Sequence, residues 1–182
     1  MRLIALLFAA FLACGPAAAQ SWKDYDYPDL AFGLAFPAEP KVETSTYLAA
    51  DGTNVDARVY LVEQDNVVYK MTVADLSKTA IGEKTAIDYA VKKMAENGTV
   101  TVNIGHRVNR VFGRQLAIAN KDGGHSSSAV FYNQKRLYQI EGTVLPTHPD
   151  PASGEAIRFQ QSLRFTGRFL NLGRLFGPRS PR

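Results

Sequence analysis

Residues 54–73 read NVDARVYLVEQDNVVYKMTV, and residues 85–96 read TAIDYAVKKMAE. The first stretch repeats at period two. Val55, Ala57, Val59 and Leu61 fall on one side, with Asn54, Asp56 and Arg58 opposite. After Gln64-Asp65-Asn66, Val67, Tyr69, Met71 and Val73 resume the alternation. This is the pattern of two half-buried strands joined by a tight turn. In the second stretch the period changes. Ile87, Ala90, Val91, Met94 and Ala95 stand at i, i+3, i+4, i+7 and i+8, one face of a helix. Thr85 and Asp88 predict a capping box, and Asn97-Gly98 a helix stop.

Strand patterns continue on both sides. Residues 30–36 (LAFGLAF) end at Pro37, and residues 42–48 lead to a turn at Asp51-Gly52. Residues 100–108 and 110–119 precede Lys121-Asp122-Gly123-Gly124, a hairpin signal. Residues 126–132 and 136–144 form the next pair around Asn133-Gln134-Lys135. A loop with Pro146, Pro149 and Pro151 leads into a closing helix marked by Ala152, Ala156, Phe159 and Leu163, with Asp150 or Ser153 as its cap. Consecutive strands on short turns with two separated helices predict an α+β domain. The expected architecture is an antiparallel β-sheet with helices packed mainly on one face.

Three short stretches resemble the PsbP-like and DcrB-like exported proteins. LAFGLAFPAEPK is similar to their opening strand, KRLYQIEGTVLP to a later strand, and AIRFQQSLRF to their closing helix. Leu163 stands where that last motif usually has an aromatic. The resemblance spans most of residues 30–166. It implies the fold, and an accessory or binding role of the kind most members have.

The ends of the chain speak to compartment. Arg2 precedes an uncharged apolar run, LIALLFAAFLA over residues 3–13, then Gly15-Pro16 and Ala17-Ala18-Ala19. These are the parts of a signal peptide over residues 1–19, cleaved before Gln20, and they predict a periplasmic or secreted protein. A run of about eleven residues falls short of the roughly 20 that a spanning helix needs. Residues 11–14 (FLAC) also resemble a lipobox, so lipid anchoring through Cys14 is the alternative. Cys14 is the sole cysteine, so simple cleavage would leave no thiol for redox, zinc or nucleophilic chemistry.

The remaining roughly 160 residues suit one domain, expected over residues 20–167. A basic, loose tail is expected over residues 168–182. After Glu155 there are six arginines (Arg158, Arg164, Arg168, Arg174, Arg179, Arg182) and no acid. The tail is expected to make weak contacts with anionic membrane surfaces. Arg107, Arg110 and Arg114 form a second basic group. Export argues against nucleic acid as the partner of either.

No pattern points to a cofactor, a metal or a catalytic site. His106, His125 and His148 have no metal-ligand spacing. Residues 124–128 (GHSSS) supply the elements of a hydrolase reading, His125 with a nearby serine, but lack the glycine that follows a nucleophile elbow. Asp24-x-Asp26 sits in a leading segment, WKDYDYPDL, read as mobile, whose Trp22, Tyr25 and Tyr27 are expected to cover one end of the core. Asn97-Gly98-Thr99 matches a glycosylation sequon but reads better as a helix end. The expected function is that of an exported envelope accessory or binding protein acting through a protein partner or ligand. The alternatives are the hydrolase and a carrier of a small apolar ligand held between helix and sheet.

Overall fold

The structure is a computed structural model and describes residues 22–150 and 153–166. The expected signal peptide and basic tail lie outside these residues, as does Ala152.

Alternation builds most of the chain into one antiparallel sheet. Its strands are β3 (Lys41–Leu48), β4 (Asn54–Gln64), β5 (Val67–Asp75), β6 (Gly98–Val108), β7 (Val111–Asn120), β8 (His125–Asn133) and β9 (Arg136–Val144). They run in the order β3-β4-β5-β9-β8-β7-β6, so β3 and β6 are the edges. Three of the hairpins turn on two residues with positive φ: Asp65-Asn66 (51°, 58°), Asn109-Arg110 (46°, 71°) and Gln134-Lys135 (50°, 59°). That backbone matches the right-handed twist of the strands it joins.

The leading segment is not a loose lead-in. Lys23–Tyr27 forms β1, paired antiparallel with β2 (Phe32–Phe36). The short β10 (Arg164–Phe165) pairs with the other side of β2. Aromatics and acids alternate along β1. Tyr25 and Tyr27 turn inward against Phe36 and Phe32. Asp24 and Asp26 turn outward and accept hydrogen bonds from the Arg164 guanidinium at 2.7 and 2.9 Å. Gly33 makes room for this: a Cβ there would lie 2.3 Å from Asp26 Oδ1 and 2.9 Å from Arg164.

The middle of the large sheet is buried on both faces, while the edge strands β3 and β6 are largely exposed. Helix α1 (Glu83–Ala95) covers one face over β8, β7, β6 and β9, its Ala86, Ile87, Ala90 and Met94 joining a cluster with Leu116, Ile118, Val130 and Leu137 that continues to Val55, Ala57, Ala74 and Leu76. The small sheet and helix α2 (Glu155–Gln161) cover the other, over Tyr60, Tyr69, Met71, Ala129, Phe131, Tyr138 and Ile140. The α+β class and the antiparallel sheet are as expected. The helices, expected mainly on one face, take one face each.

Burial on both faces also corrects the reading of β4. Val55 and Ala57 are buried on the α1 side of the sheet, but the buried residues further along are Tyr60 and Val62, not Val59 and Leu61. The pairing of β4 with both neighbours is unbroken. The burial therefore changes sides along the strand, from the cluster on the α1 side at Val55 and Ala57 to the cluster under the small sheet at Tyr60 and Val62. The capping box is not formed. Gly82 is the N-cap of α1 without a side-chain bond, and Asp88 instead pairs with Lys84. Lys92 and Lys93 in its last turn suit the negative end of the helix dipole.

Candidate functional site

The site follows from where α2 sits. Phe159 is fully buried and holds the helix down, its ring 5.0 Å from Phe36, 5.3 Å from Tyr69 and 6.5 Å from Trp22. Arg158 lays its guanidinium 4.5 Å over the Trp22 ring. Trp22 thus packs at one end of the core, as expected. Beneath the helix is Gly142 of β9, where a Cβ would lie 2.6 Å from the Ala156 carbonyl oxygen. The close seat fixes α2 over β9, β8 and β5. It leaves the same face of β7 and β6 without a helix above it.

An open groove of about 480 Å³ results, lined by Val102, Ala117, Ala119, His125, Ser127 and Ile157 among others. The small side chains of Ala117 and Ala119 leave the space on its floor, with Gln115 beside them on β7. Its rim is apolar and exposed: Val102 is 39% accessible and Ile157 47%. A β-bulge puts Val102 there. The β6–β7 register shifts between Val100 and Val102, so Val100 packs toward α1 while Val102 turns to the α2 face. Ile104, 53% accessible, continues the row along β6.

The polar groups near the groove belong to separate networks. Ser126 and Ser128 point to the α1 face and His125 and Ser127 to the α2 face, as alternation along β8 requires. Ser126 Oγ receives a hydrogen bond from Asn120 Nδ2 at 3.0 Å and lies 2.8 Å from Thr143 Oγ1. Thr143 in turn donates to Glu141. Ser128 is fully buried, and its hydroxyl has no hydrogen-bond partner among the described residues. Ser153 Oγ accepts the Glu155 N–H at the start of α2, but the N-cap is Gly154, without a side-chain bond, and neither Ser153 nor Asp150 takes the capping position expected for it. His148 Nδ1 accepts the Asp150 N–H, and its Nε2 lies 4.0 Å from Glu155. Glu155 also accepts from the Tyr69 hydroxyl. Burial, and after it the charge of Glu155, pushes the Tyr69 pKa well up.

The structure does not assemble the hydrolase reading. His125 and Ser126 face opposite ways, and no hydrogen bond links His125 to a serine or carboxylate among the described residues. The His106 ring lies tilted, 5.7 Å from that of Phe131, apart from the other two histidines. Among the described residues no group of three or more His, Cys, Asp or Glu could hold a metal ion. No described helix is long and apolar enough to cross a membrane. Sequence reading missed the groove itself, although Val102, Ile104 and the Ala117/Ala119 pair were visible signals.

Neither a family model nor any curated protein matches the chain. Solved structures do. The solution structure of cyanobacterial PsbP (CyanoP) from Synechocystis sp. PCC 6803 superposes with a TM-score of 0.51 at 12% identity, over 84% of this chain and 97% of that one. The fold is PsbP-like. A Pseudomonas aeruginosa protein of unknown function, PA94, aligns at 12% identity over 75% of this chain and 94% of its own, with a TM-score of 0.36. That second likeness is too loose to add to the first. The resemblance read from the three sequence stretches is thus met by the architecture. In this PsbP-like chain the LAFGLAF stretch supplies β2, KRLYQIEGTV supplies β9, and AIRFQQ supplies α2. All three meet under the groove's inner wall.

Proposed function

We propose that this protein is an exported accessory protein of the cell envelope that acts by binding a protein partner in the groove between α2 and β6. One observation carries the reading. The groove joins a largely apolar floor to a rim of exposed Val102 and Ile157, beside α2 on a part of the sheet that no helix covers. Its volume is within the roughly 300–1,000 Å³ of ligand sites. The N-terminal sequence supports export, and the fold supports a role without chemistry only by analogy. A second reading, a small apolar ligand, is favoured by the alanine floor. The groove is open along its length, which suits a polypeptide better than an enclosed lipid.

Pull-down from envelope extract tests this, with wild-type protein beside Ile157→Asp. A protein retained by the wild type and lost by the variant is the expected result. No reproducible partner, or the same partners for both, overturns it. Recovery of a lipid from the purified wild type alone selects the second reading. Export is checked by the mass of the native protein, expected to begin at or near Gln20. A chain beginning at an acylated Cys14 would place it on the membrane instead.

A further inference from the structure

The two edges of the large sheet are protected very differently. β3 carries Lys41 and Glu43, which pair with each other, and polar residues at most other positions. Charges of this kind discourage strand-to-strand pairing. β6 has no charged residue and no proline from Gly98 to Gly105. Val102, Asn103, Ile104 and Gly105 are all exposed along it. Its outer backbone groups form an eleven-residue template for another strand.

The side chains along β6 differ between the two faces of the sheet. On the α2 face are Val102 and Ile104, beside the groove. On the α1 face are Asn103 and Arg107, joined by Arg114 of β7. Arg114 reaches across to the edge, donating to Asn103 Oδ1 at 2.6 and 2.8 Å and to the Asn103 carbonyl at 3.4 Å. Arg107 holds its guanidinium 3.7 Å over the exposed Phe112 ring. Neither arginine has an ion pair with an acid among the described residues. One face of the edge is therefore apolar and the other cationic.

We propose that β6 is a docking edge for an extended segment of a partner protein, one that alternates apolar with acidic residues. The segment adds an eighth strand to the sheet, its backbone bonding to the free side of β6. Its apolar side chains cover Val102 and Ile104 and lean toward the groove. Its acids face Arg107 and Arg114, which gives the pairing its register and its salt dependence. A second copy of this chain fits worse. Two-fold pairing centred on Asn103 would set Val102 against Ile104 of the other copy, but would also bring two Arg114 guanidinium groups together at the axis.

The inference rests on the groove reading and specifies its partner. A random twelve-residue peptide library displayed on phage is selected against the wild-type protein in low salt. The expected consensus alternates apolar residues with Asp or Glu over at least six positions. Its synthetic peptide should weaken at least tenfold on Ile104→Lys and on the pair Arg107→Glu with Arg114→Glu, and should protect β6 amides from hydrogen exchange. Circular dichroism confirms that each variant is folded. A consensus without acids, or one indifferent to the β6 and arginine variants, overturns the inference. If that peptide is still lost on Ile157→Asp, the groove reading survives alone. If it is indifferent to all of them, or no consensus emerges, both fall. Concentration-dependent dimers abolished by Ile104→Lys would assign the edge to a second copy and also overturn the proposal.

Discussion

Replacing Gly142 by alanine should lever α2 off the sheet. The new Cβ would sit 2.6 Å from the Ala156 carbonyl oxygen, 2.7 Å from its Cα and 3.0 Å from its carbonyl carbon. All three are backbone atoms, so no side-chain rotation relieves the clash. The helix must move by about an ångström, which loosens Phe159 from its seat among Phe36, Tyr69 and Trp22. Overpacking of this kind costs about 1–3 kcal/mol. For a domain of this size each kcal/mol lowers Tm by roughly 2–4 °C. Urea unfolding followed by tryptophan fluorescence suits the test, since Trp22 packs on Phe159. The midpoint should fall with the slope unchanged. The double change Gly142→Ala with Ala156→Gly sharpens it. Removing the Ala156 Cβ leaves the clashing atoms in place and adds a helix glycine that costs about 1 kcal/mol. The double variant should therefore be no more stable than the single one. Full stability in Gly142→Ala, or rescue in the double variant, would refute the close seating of α2 and with it the origin of the groove.

Three further outcomes are expected. Ser128→Ala removes a fully buried hydroxyl without a partner, so it should raise stability by about 1 kcal/mol, seen as a higher urea midpoint; a loss of that size would contradict the environment described here. Burial, joined by neighbouring Tyr60, pushes the Tyr27 hydroxyl to about 12, and burial, joined by Tyr89, does the same for Tyr47. Because these folded-state values lie above the unfolded value near 10, their contribution is complete below pH 10 and is lost as pH rises through 12. Burial also raises Tyr60, Tyr69 and Tyr138, so ultraviolet titration should show five tyrosines ionising late, together with falling stability; ordinary ionisation of all of them near pH 10 would contradict the packing. The basic stretch after Gly167 is proposed to touch anionic surfaces in a salt-sensitive way. Truncation after Gly167 should leave Tm unchanged and reduce binding to phosphatidylglycerol liposomes, whereas a drop of several degrees would make that stretch structural.

Most strands and turns were legible because each leaves a local mark. Val67 to Val73 buries every second residue, and Asp65-Asn66 supplies the turn that precedes it. The helix over Ile87 to Ala95 shows its apolar face directly. The errors arose where distant parts of the chain decide. β1 alternates aromatics with acids, but Asp24 and Asp26 become intelligible only beside Arg164, which lies far along the chain. β4 buries different faces at its two ends because each end joins a different cluster, and a single run of residues cannot show that. The groove was least legible. It depends on a bulge at Val100/Val102, on small side chains in β7, and on Gly142 letting α2 sit close on β9. The hydrolase reading failed for a simple reason of strand geometry. His125 and Ser126 point to opposite faces, and Ser127, which shares the face of His125, makes no hydrogen bond to it among the described residues.

Binding at the groove is tested most directly inside the cell. A photoreactive phenylalanine analogue is placed at Ile157 on the groove rim, and separately at Val42 on the opposite edge, where the side chain is equally exposed. After irradiation, position 157 should give a discrete adduct with another envelope protein, and position 42 should not. No adduct from position 157, or the same adducts from both positions, would contradict the proposal that this groove is where the protein acts.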